Sequence, residues 1–262
     1  MAAKILVLDI ETAPETAYIW KRFKETVGQT QIKSSGYVLC LSWAWMGNDE
    51  VHNVCIYQNR SWKRGNHCDD KSVVLKAHEL LSEADIVVGH NIRSFDIATL
   101  NARFIHYNLP PPHPYKICDT FETLKKRIRL PSSSLESASH YLGIEIKEKQ
   151  PFTLWRDCLN GVESAWKTMI EYCNHDVKVT EQLYIKLIPW FDVHPNMGLY
   201  DNEGNEVICP KCGSNKLERR GIQRTIVQQY RRYQCKDCGG WSRSRMPIKM
   251  NRNHILTHAI VT

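Results

Sequence analysis

Short apolar runs alternate with longer amphipathic stretches over residues 1–190 of the chain. Runs rich in β-branched and aromatic residues predict strands, which we place at residues 4–10, 37–45, 51–57 and 85–89. Apolar positions at helical spacing predict helices, which we place at about 72–82, 94–107, 120–128, 133–142 and 162–188. Three early strands followed by alternating helices and a strand indicate an α/β fold, in which helices flank a mixed sheet.

Two details of this pattern concern its connections. The serines before the fourth predicted helix can cap it, and we expect a capping box between Ser133 and Glu136. The segment 58–70 is predicted to be a loop, and its sequence does not reveal a role.

The composition is typical of a soluble globular protein, with 42% hydrophobic and 24% charged residues. No apolar run approaches the ~18 residues of a membrane span, and the first residues do not resemble a signal peptide. Six cysteines occur singly, mostly within apolar patterns, and we expect inert buried thiols in a reducing cytoplasm. They are Cys40, Cys55, Cys68, Cys118, Cys158 and Cys173.

Three separated motifs carry acidic residues on elements that can bring them together. Asp9 and Glu11 end the first predicted strand and leave the same face of it. Asp96 follows another strand and opens a helix, while Tyr172 and Asp176 share one face of the last long helix. Four clustered carboxylates repel each other unless cations neutralise them, and oxygen ligands suit Mg²⁺ or Mn²⁺. Two such ions about 4 Å apart can promote a phosphoryl displacement.

In these motifs the chain resembles the DnaQ-like DEDD 3′–5′ exonucleases of the ribonuclease H-like superfamily. The tyrosine four positions before Asp176 indicates the DEDDy branch, because the histidine branch needs His at position 171, which is Glu. His175, next to Asp176, is expected on another helix face. The resemblance covers roughly residues 1–190, includes the Gly-His-Asn sequence ending at Asn91, and is closest to phage and prophage exonucleases.

The resemblance implies a ribonuclease H-like fold and a role for each motif residue. Asp9, Glu11, Asp96 and Asp176 would hold two Mg²⁺ or Mn²⁺ ions, and Tyr172 would orient the attacking water or the scissile phosphate. We also assign Asn91 to nucleic-acid binding. The aromatics of the long segment 12–36, Tyr18, Trp20 and Phe23, either stack on a terminal base or close the core.

Four further cysteines form two C-x₂-C pairs with 22 residues between them. The pairs Cys209/Cys212 and Cys235/Cys238 have the spacing of a four-thiolate zinc ribbon that binds one structural Zn²⁺. A glycine after each second cysteine permits the tight turn that points backbone amides at the sulfurs. The residues between the pairs, 216–234, predict a β-hairpin.

Positive charge is concentrated in this last part of the chain. From residue 206 onward there are 12 Lys and Arg against 3 Asp and Glu, which gives this part a net charge of +9. Because the whole chain has a net charge of +7, residues 1–205 have a net charge of −2. Cations and aromatic rings together favour a nucleic-acid grip, although a solvated basic surface around a small core is the alternative. The residues assigned to the grip are Arg219, Arg220, Arg231, Arg232, Tyr233 and Trp241.

The sequence therefore predicts a catalytic domain over 1–191, a Pro/Gly/Asn-rich linker over 192–205, a zinc-ribbon β module over 206–250 and a tail over 251–262. The expected function is metal-dependent 3′–5′ exonucleolysis in the cytoplasm, of DNA rather than RNA, on single strands or 3′ ends. No membrane is involved, and no replication or recombination partner is identified. The alternatives are an RNA exonuclease or an endonuclease on the same core, and a catalytically silent zinc-ribbon adaptor.

Overall fold

The computed structural model describes residues 3–21, 23, 26–144, 150–200, 204 and 207–249. The chain divides into two compact units, the first formed by residues 4–185 and the second by residues from Lys186 onward together with 1–3. The predicted tail over 251–262 lies outside the described residues, as does part of the predicted linker. Among the described helices, none is long and apolar enough to cross a membrane.

The first unit is built on a five-stranded sheet with the order β5-β4-β1-β6-β7. Its strands are β1 (Ile5–Thr12), β4 (Val38–Trp45), β5 (His52–Cys55), β6 (Ile86–Gly89) and β7 (Lys116–Asp119), while β2 (Thr16–Ala17) and β3 (Ile32–Ser34) pair separately. Strand β1 is central, antiparallel to β4 and parallel to β6. The predicted α/β fold with a mixed sheet is confirmed.

Seven α-helices belong to the described chain, and the longest carries the third acidic motif. They are α1 (Arg60–Lys63), α2 (Lys71–Glu83), α3 (Asp96–His106), α4 (Thr120–Arg127), α5 (Leu135–Tyr141), α6 (Thr153–Leu159) and α7 (Glu163–Leu187). All five predicted helices are present within two residues of their expected bounds. The pattern did not predict the two short helices α1 and α6, or the edge strand β7.

The N-cap of helix α5 lies one residue later than predicted. Its N-cap is Ser134, whose side chain accepts a hydrogen bond from the backbone N–H of Ser137. The predicted capping box between Ser133 and Glu136 is therefore wrong. Three consecutive serines precede this helix, and the sequence alone does not show which of them is the N-cap. In the structure it is Ser134.

The segment 58–70 is a structural connection rather than an open loop. It contains helix α1, whose Trp62 is buried and packs edge-on against Trp166 with ring centroids 5.2 Å apart. The segment ends at Asp70, which is completely buried and accepts hydrogen bonds from the Val38 backbone at 2.9 Å and from Arg103. Asp70 therefore links β4, through Val38, to α3, through Arg103. Removing one partner of a buried ion pair costs about 3–5 kcal/mol, so this link stabilises the fold.

The segment 12–36 extends from the end of β1 as the β2–β3 hairpin. Tyr18 is 67%, Trp20 95% and Phe23 77% exposed. The alternative that these aromatics close the core is therefore wrong, and stacking on a terminal base stays a prediction.

The single cysteines follow the prediction with one exception. Five of the six are buried, whereas Cys68 is exposed. Two of the buried thiols, Cys40 and Cys55, are direct neighbours across the β4–β5 pair.

The second unit contains a three-stranded antiparallel sheet with the order β10-β9-β8. Its strands are β8 (Leu217–Arg224), β9 (Gln229–Cys235) and β10 (Trp241–Arg243). The predicted hairpin is confirmed, although Thr225 lies in its turn, where its backbone N–H donates to Gln228 at 2.9 Å. Part of the predicted linker belongs to this unit, since the Met197 backbone N–H donates to the Pro210 carbonyl at 2.9 Å.

Candidate active site and metal centres

Strand β1 places the first two acids at its carboxyl end. Asp9 pairs with Ser42 and Glu11 with Cys40 across the antiparallel β1–β4 ladder, so both acids leave the same face of the sheet. The register shifts at a bulge between Glu11 and Thr12, which ends the regular pairing just after the second acid. Both side chains are half-buried on a rigid strand.

The Asp96 carboxylate replaces a strand carbonyl as the acceptor for one backbone N–H of β1. The pairing of β1 with β6 stops at Val7 and Val88, so the next N–H on that side of β1 loses its strand partner. The Asp96 carboxylate accepts this hydrogen bond, from the Ile10 backbone at 3.0 Å. Because Asp96 is also the first residue of α3, this bond holds the helix N-terminus beside the two β1 acids.

Helix α7 brings the third motif across the same sheet face. The side chains of Asn174 and Ser42 are joined by a 2.7 Å hydrogen bond, which fixes the helix over β4. One turn apart on α7, the Tyr172 hydroxyl donates to the Asp176 carboxylate. The helix thus presents a phenol and a carboxylate to the β1 acids.

These elements bring three carboxylates together. One oxygen from each of Asp9, Glu11 and Asp176 lies within 4.8 Å of the other two. Asp96 does not belong to this group of three, but its charge raises the pKa of Asp9. Three of the four predicted acids therefore converge directly, and the fourth lies within electrostatic range of them.

The cluster resists ionisation when nothing neutralises it. Burial, and then the charge of Asp176, raise the pKa of Glu11 to about 8. Burial also raises the pKa of Asp96 to about 7 and that of Asp176 to about 6. The pKa of Asp9 is raised by burial and by the charges of Asp96 and Glu11. Desolvation is the first cause throughout, and repulsion between the acids adds to it at Asp9 and Glu11.

A divalent cation fits this cluster on the chemistry of its donors. The ligand atoms are all carboxylate oxygens, which Mg²⁺ and Mn²⁺ prefer, and their spacing allows several to contact one ion. A cation would also offset the repulsion that helps to raise the pKa values of Asp9 and Glu11. The residues that could hold it are Asp9, Glu11 and Asp176, with Asp96 beside them.

Metal binding should therefore stabilise the protein more at alkaline than at acidic pH. Because the raised pKa values mean that the folded state binds protons more tightly, the free energy of unfolding without metal should fall between about pH 4 and pH 8. We expect saturating Mg²⁺ to raise the melting temperature by about 5 °C or more at pH 8 and much less at pH 5. Thermal denaturation at both pH values checks this, and equal shifts would contradict it.

The matched control for this measurement is Glu171→Ala. Glu171 is an exposed acid on α7, one residue before Tyr172, and belongs to no metal-ligand group among the described residues. This variant should keep the full Mg²⁺-dependent shift. A loss of the shift in the control would show that Mg²⁺ acts through general surface charge.

Two residues that the motifs did not reveal support the acids. The buried Cys173 thiol lies 3.4 Å from Asp9 Oδ2 and 3.6 Å from the Asp9 carbonyl oxygen, so it can donate to either. The Trp155 side chain on α6 donates a hydrogen bond to Glu11. Cys173 could have been suspected from its place between Tyr172 and Asp176, whereas Trp155 lies on a helix that the pattern did not predict.

An open groove of about 360 Å³ begins where β1 ends. Its lining combines the carboxyl end of β1 with α6 and the residues before it, namely Thr12, Pro14, Gln150, Phe152 and Trp155. Trp155 also packs edge-on against Tyr172, with ring centroids 6.3 Å apart. The groove therefore shares one wall with the acidic cluster.

The turn that leads to Asp96 is held by Asp119. The Asp119 carboxylate accepts from the backbone N–H groups of Asn91 at 3.0 Å and Arg93 at 3.1 Å, and it also caps α4. Asn91 has a φ of 60°, a left-handed conformation that asparagine tolerates. A Cβ on Gly89 would lie 2.5 Å from Ile92, so this position requires glycine. The assignment of Asn91 to nucleic acid stays a prediction.

The second unit contains a separate group of four thiols. The sulfurs of Cys209, Cys212, Cys235 and Cys238 all lie within 4.8 Å of one another. Two of the separations are 3.6 Å and 3.7 Å. A tetrahedron with Zn–S bonds of about 2.3 Å has edges of about 3.8 Å, so the four sulfurs fit one Zn²⁺ ion.

Hydrogen bonds from backbone amides stabilise the thiolate form of one of these cysteines, Cys235. Burial raises the pKa of Cys235, but backbone N–H groups of Cys238 and Asp237 donate to its sulfur and lower the pKa to about 7. The Gly240 backbone N–H lies 3.3 Å from the Cys238 sulfur, although burial raises the pKa of that thiol to about 11. Thiolate is the form that binds zinc, so this geometry favours a metal site.

The residues assigned to the basic grip do not form one surface. Arg232 and Trp241 lie on one face of the β8–β10 sheet, while Arg219, Arg231 and Tyr233 lie on the other. Arg220 lies at a register shift between Arg219 and Ile222.

A model of a protein family described as the RNase H superfamily matches residues 24–188, which is more than half of the chain. The match includes Asp96, Tyr172 and Asp176 and begins after strand β1. No curated protein matches the sequence.

Proposed function

Because this chain belongs to the RNase H superfamily, we propose that it is a metal-dependent 3′–5′ exonuclease of the DEDDy type. The superfamily suggests nuclease activity on nucleic acid, and the five-stranded mixed sheet flanked by helices fits its fold. The finer assignment rests on one observation. Three carboxylates from two different elements converge, with the Tyr172 hydroxyl beside them.

The carboxylates would act as ligands. We assign Asp9, Glu11, Asp96 and Asp176 to two Mg²⁺ or Mn²⁺ ions. Such a pair of ions supplies activation of a water molecule and stabilisation of the charge on the leaving oxygen. The β1 strand and the α7 helix hold the ligands on rigid backbone, which preserves the geometry during turnover.

Tyr172 would orient rather than transfer a proton. Burial and the charge of Asp176 raise the pKa of Tyr172 well above its ordinary value, so its hydroxyl stays protonated near pH 7. A protonated phenol donates a hydrogen bond and cannot serve as a base. We therefore assign the hydroxyl to positioning the attacking water or the scissile phosphate.

The β2–β3 hairpin and the groove beside it would hold the end of the strand. The exposed rings of Tyr18, Trp20 and Phe23 offer stacking surfaces, and the hairpin starts directly after the residues that carry the acids. Base stacking on aromatic rings contributes about 1–3 kcal/mol per base and tolerates any sequence. This supports single strands or 3′ ends as the substrate.

The direct test follows the products of 5′-labelled substrates. Single-stranded DNA, duplex DNA and single-stranded RNA are incubated with the protein and Mg²⁺ or Mn²⁺. The proposal expects a ladder of shortening products from single-stranded DNA, which marks removal of nucleotides from the 3′ end. Internal fragments without a ladder would indicate an endonuclease, and preferred cleavage of RNA would indicate an RNA exonuclease.

Removing the Tyr172 hydroxyl should impair turnover more than binding. Tyr172→Phe keeps the ring against Trp155 but loses the hydrogen bond to Asp176. We expect turnover to fall about 10- to 100-fold with little change in substrate affinity, the effect of losing one positioning hydrogen bond. Steady-state rates and binding to a 3′-end oligonucleotide measure the two effects separately.

His175→Ala is the matched control on the same helix, and its activity should stay close to that of the unchanged protein. A dead His175 variant beside a fully active Tyr172→Phe variant would show that the DEDDy branch was the wrong assignment.

The four thiolates and the basic sheet support a zinc ribbon that grips nucleic acid. The ribbon carries the net positive charge of the chain, so it should contribute to substrate affinity, and this contribution should weaken as salt rises. A catalytically silent adaptor would share this ribbon. That alternative is disfavoured by the convergence of the acids, which binding alone does not require.

A further inference from the structure

The two faces of the β8–β10 sheet differ in how their arginines are arranged. Pairing places Arg243 opposite Arg232 and Trp241 opposite Gln234, and Tyr230 lies two residues before Arg232 on the same strand. Side chains two residues apart on a strand share a face. Tyr230, Arg232, Trp241 and Arg243 therefore lie together, and we name these four residues the stacking face.

Each arginine of the stacking face lies over an aromatic ring. The guanidinium carbon of Arg232 is 4.8 Å from the centre of the Trp241 ring, and that of Arg243 is 3.9 Å from the centre of the Tyr230 ring. The two contacts run diagonally across the β9–β10 pair. Positions two residues apart on a strand are separated by about 6.8 Å, so the two stacks follow each other along the sheet.

Hydrogen bonding fixes one of these guanidinium groups further. Arg232 Nε donates to the Arg220 carbonyl at 2.8 Å, at the register shift of β8. A planar cation that is already ordered loses little conformational entropy when a ligand contacts it. Trp241 is 48% exposed, so its indole remains accessible beside the stacked arginine.

The opposite face carries similar charge without the stacks. Arg219 and Arg231 are exposed there, together with Tyr233, which is half-buried. No contact of a cation over a ring occurs on this face among the described residues. It also carries Cys235, so part of it faces the thiol cluster.

A flexible nucleic acid strand matches the stacking face in both charge and shape. Its phosphates complement Arg232 and Arg243, and Glu218, which lies on this face opposite Gln234, is paired with Arg220 at 3.1 Å. Unpaired bases can add to ordered planar stacks, whereas the bases of a duplex stay within the helix.

We propose that the stacking face is the site where the ribbon binds single-stranded nucleic acid, through bases stacked on the Arg232–Trp241 and Arg243–Tyr230 pairs. This deepens the proposed grip by assigning it to one face and one strand type, and it rests on that grip but not on cleavage. The opposite face would contribute only general attraction of phosphates.

Two double variants of equal charge test the assignment in the full-length chain. Arg232→Ala/Arg243→Ala changes the stacking face, and Arg219→Ala/Arg231→Ala removes the same two charges from the opposite face. Both are made in an Asp9→Asn background, so that substrate is not consumed. Binding is measured by fluorescence anisotropy with a labelled single-stranded oligonucleotide and its duplex, at two salt concentrations.

The stacking-face variant should bind the single strand at least about tenfold more weakly, as expected for a lost stacking platform. The matched variant should lose no more than about threefold, and this difference should persist at high salt, because stacking is not screened. For the duplex, the two variants should behave alike. Equal losses for the single strand, or no loss from either variant, would overturn the proposal.

Folding of the ribbon is checked by zinc content, which should stay at one ion per chain in both variants. Trp241→Ala tests the same face without changing charge and should also weaken single-strand binding several-fold. If Trp241→Ala binds as the unchanged protein does, the rings do not contact bases and the proposal fails. Since cleavage is not measured, a failure of the exonuclease assignment appears separately in the product assay.

Discussion

Asp9→Ala and Asp176→Ala are each expected to lower turnover by about 10³-fold or more while leaving the fold intact. The two carboxylates come from different elements and lie within 4.8 Å of each other and of Glu11. If each ligates a catalytic ion, its removal loses several kcal/mol of stabilisation in the transition state. Steady-state cleavage of single-stranded DNA over a range of Mg²⁺ concentrations measures the effect.

The stability of these variants separates a catalytic role from a structural one. Each alanine removes one member of a repelling group, so the metal-free variants should melt at the same temperature as the unchanged protein or higher. Glu171→Ala, the exposed acid on the same helix, should keep full activity. Rates within tenfold of the unchanged protein for both Asp9→Ala and Asp176→Ala would contradict the two-metal assignment.

Much of this site could be predicted because its information is local. The Asp-x-Glu spacing fixes that Asp9 and Glu11 share a strand face, and the four-residue spacing fixes that Tyr172 and Asp176 share a helix face. The spacing of residues within one element does not give the distances between different elements. Asp96 lies outside the group of three, because its carboxylate is bonded to the Ile10 backbone between the β1 acids.

The elements that the sequence pattern did not predict are those that form only because of their neighbours in the fold. Strand β7 has only four residues, Lys116–Asp119, and follows a proline-rich stretch, so its pattern resembles a loop. It becomes a strand because β6 offers a parallel partner, with Val88 opposite Cys118. Its last residue, Asp119, then organises the turn before Asp96, a role that no local pattern indicates.

The ribbon shows a different limit. Composition predicted a basic and aromatic surface, but it could not assign residues to faces. The register shift between Arg219 and Ile222 changes which side chains of β8 lie opposite those of β9. Strand alternation in the sequence does not reveal that bulge, so the predicted grip combined residues that the sheet separates.

Loss of zinc should abolish the fold of the second unit. The sheet of this unit has only three strands, and few of its side chains are buried among the described residues. A domain of this size depends on its metal, which contributes about 10–16 kcal/mol in isolated zinc fingers. We expect Cys209→Ser/Cys235→Ser to bind no zinc and to become sensitive to proteolysis beyond residue 205. Elemental analysis and limited proteolysis measure this, and Cys68→Ser, at an exposed thiol of the first unit, should change neither.

Truncation near Asn205 should weaken the binding of long substrates but should not abolish cleavage. All five candidate catalytic residues belong to the unit formed by residues 4–185, so the shortened chain should still cut short substrates. It should bind long substrates poorly, and its affinity should fall less steeply with salt, because the truncation removes a net charge of +9. The measurement compares zinc content and affinity against salt for the full-length and truncated chains. Absence of zinc from the full-length chain, or identical salt slopes for the two, would refute the role assigned to the ribbon.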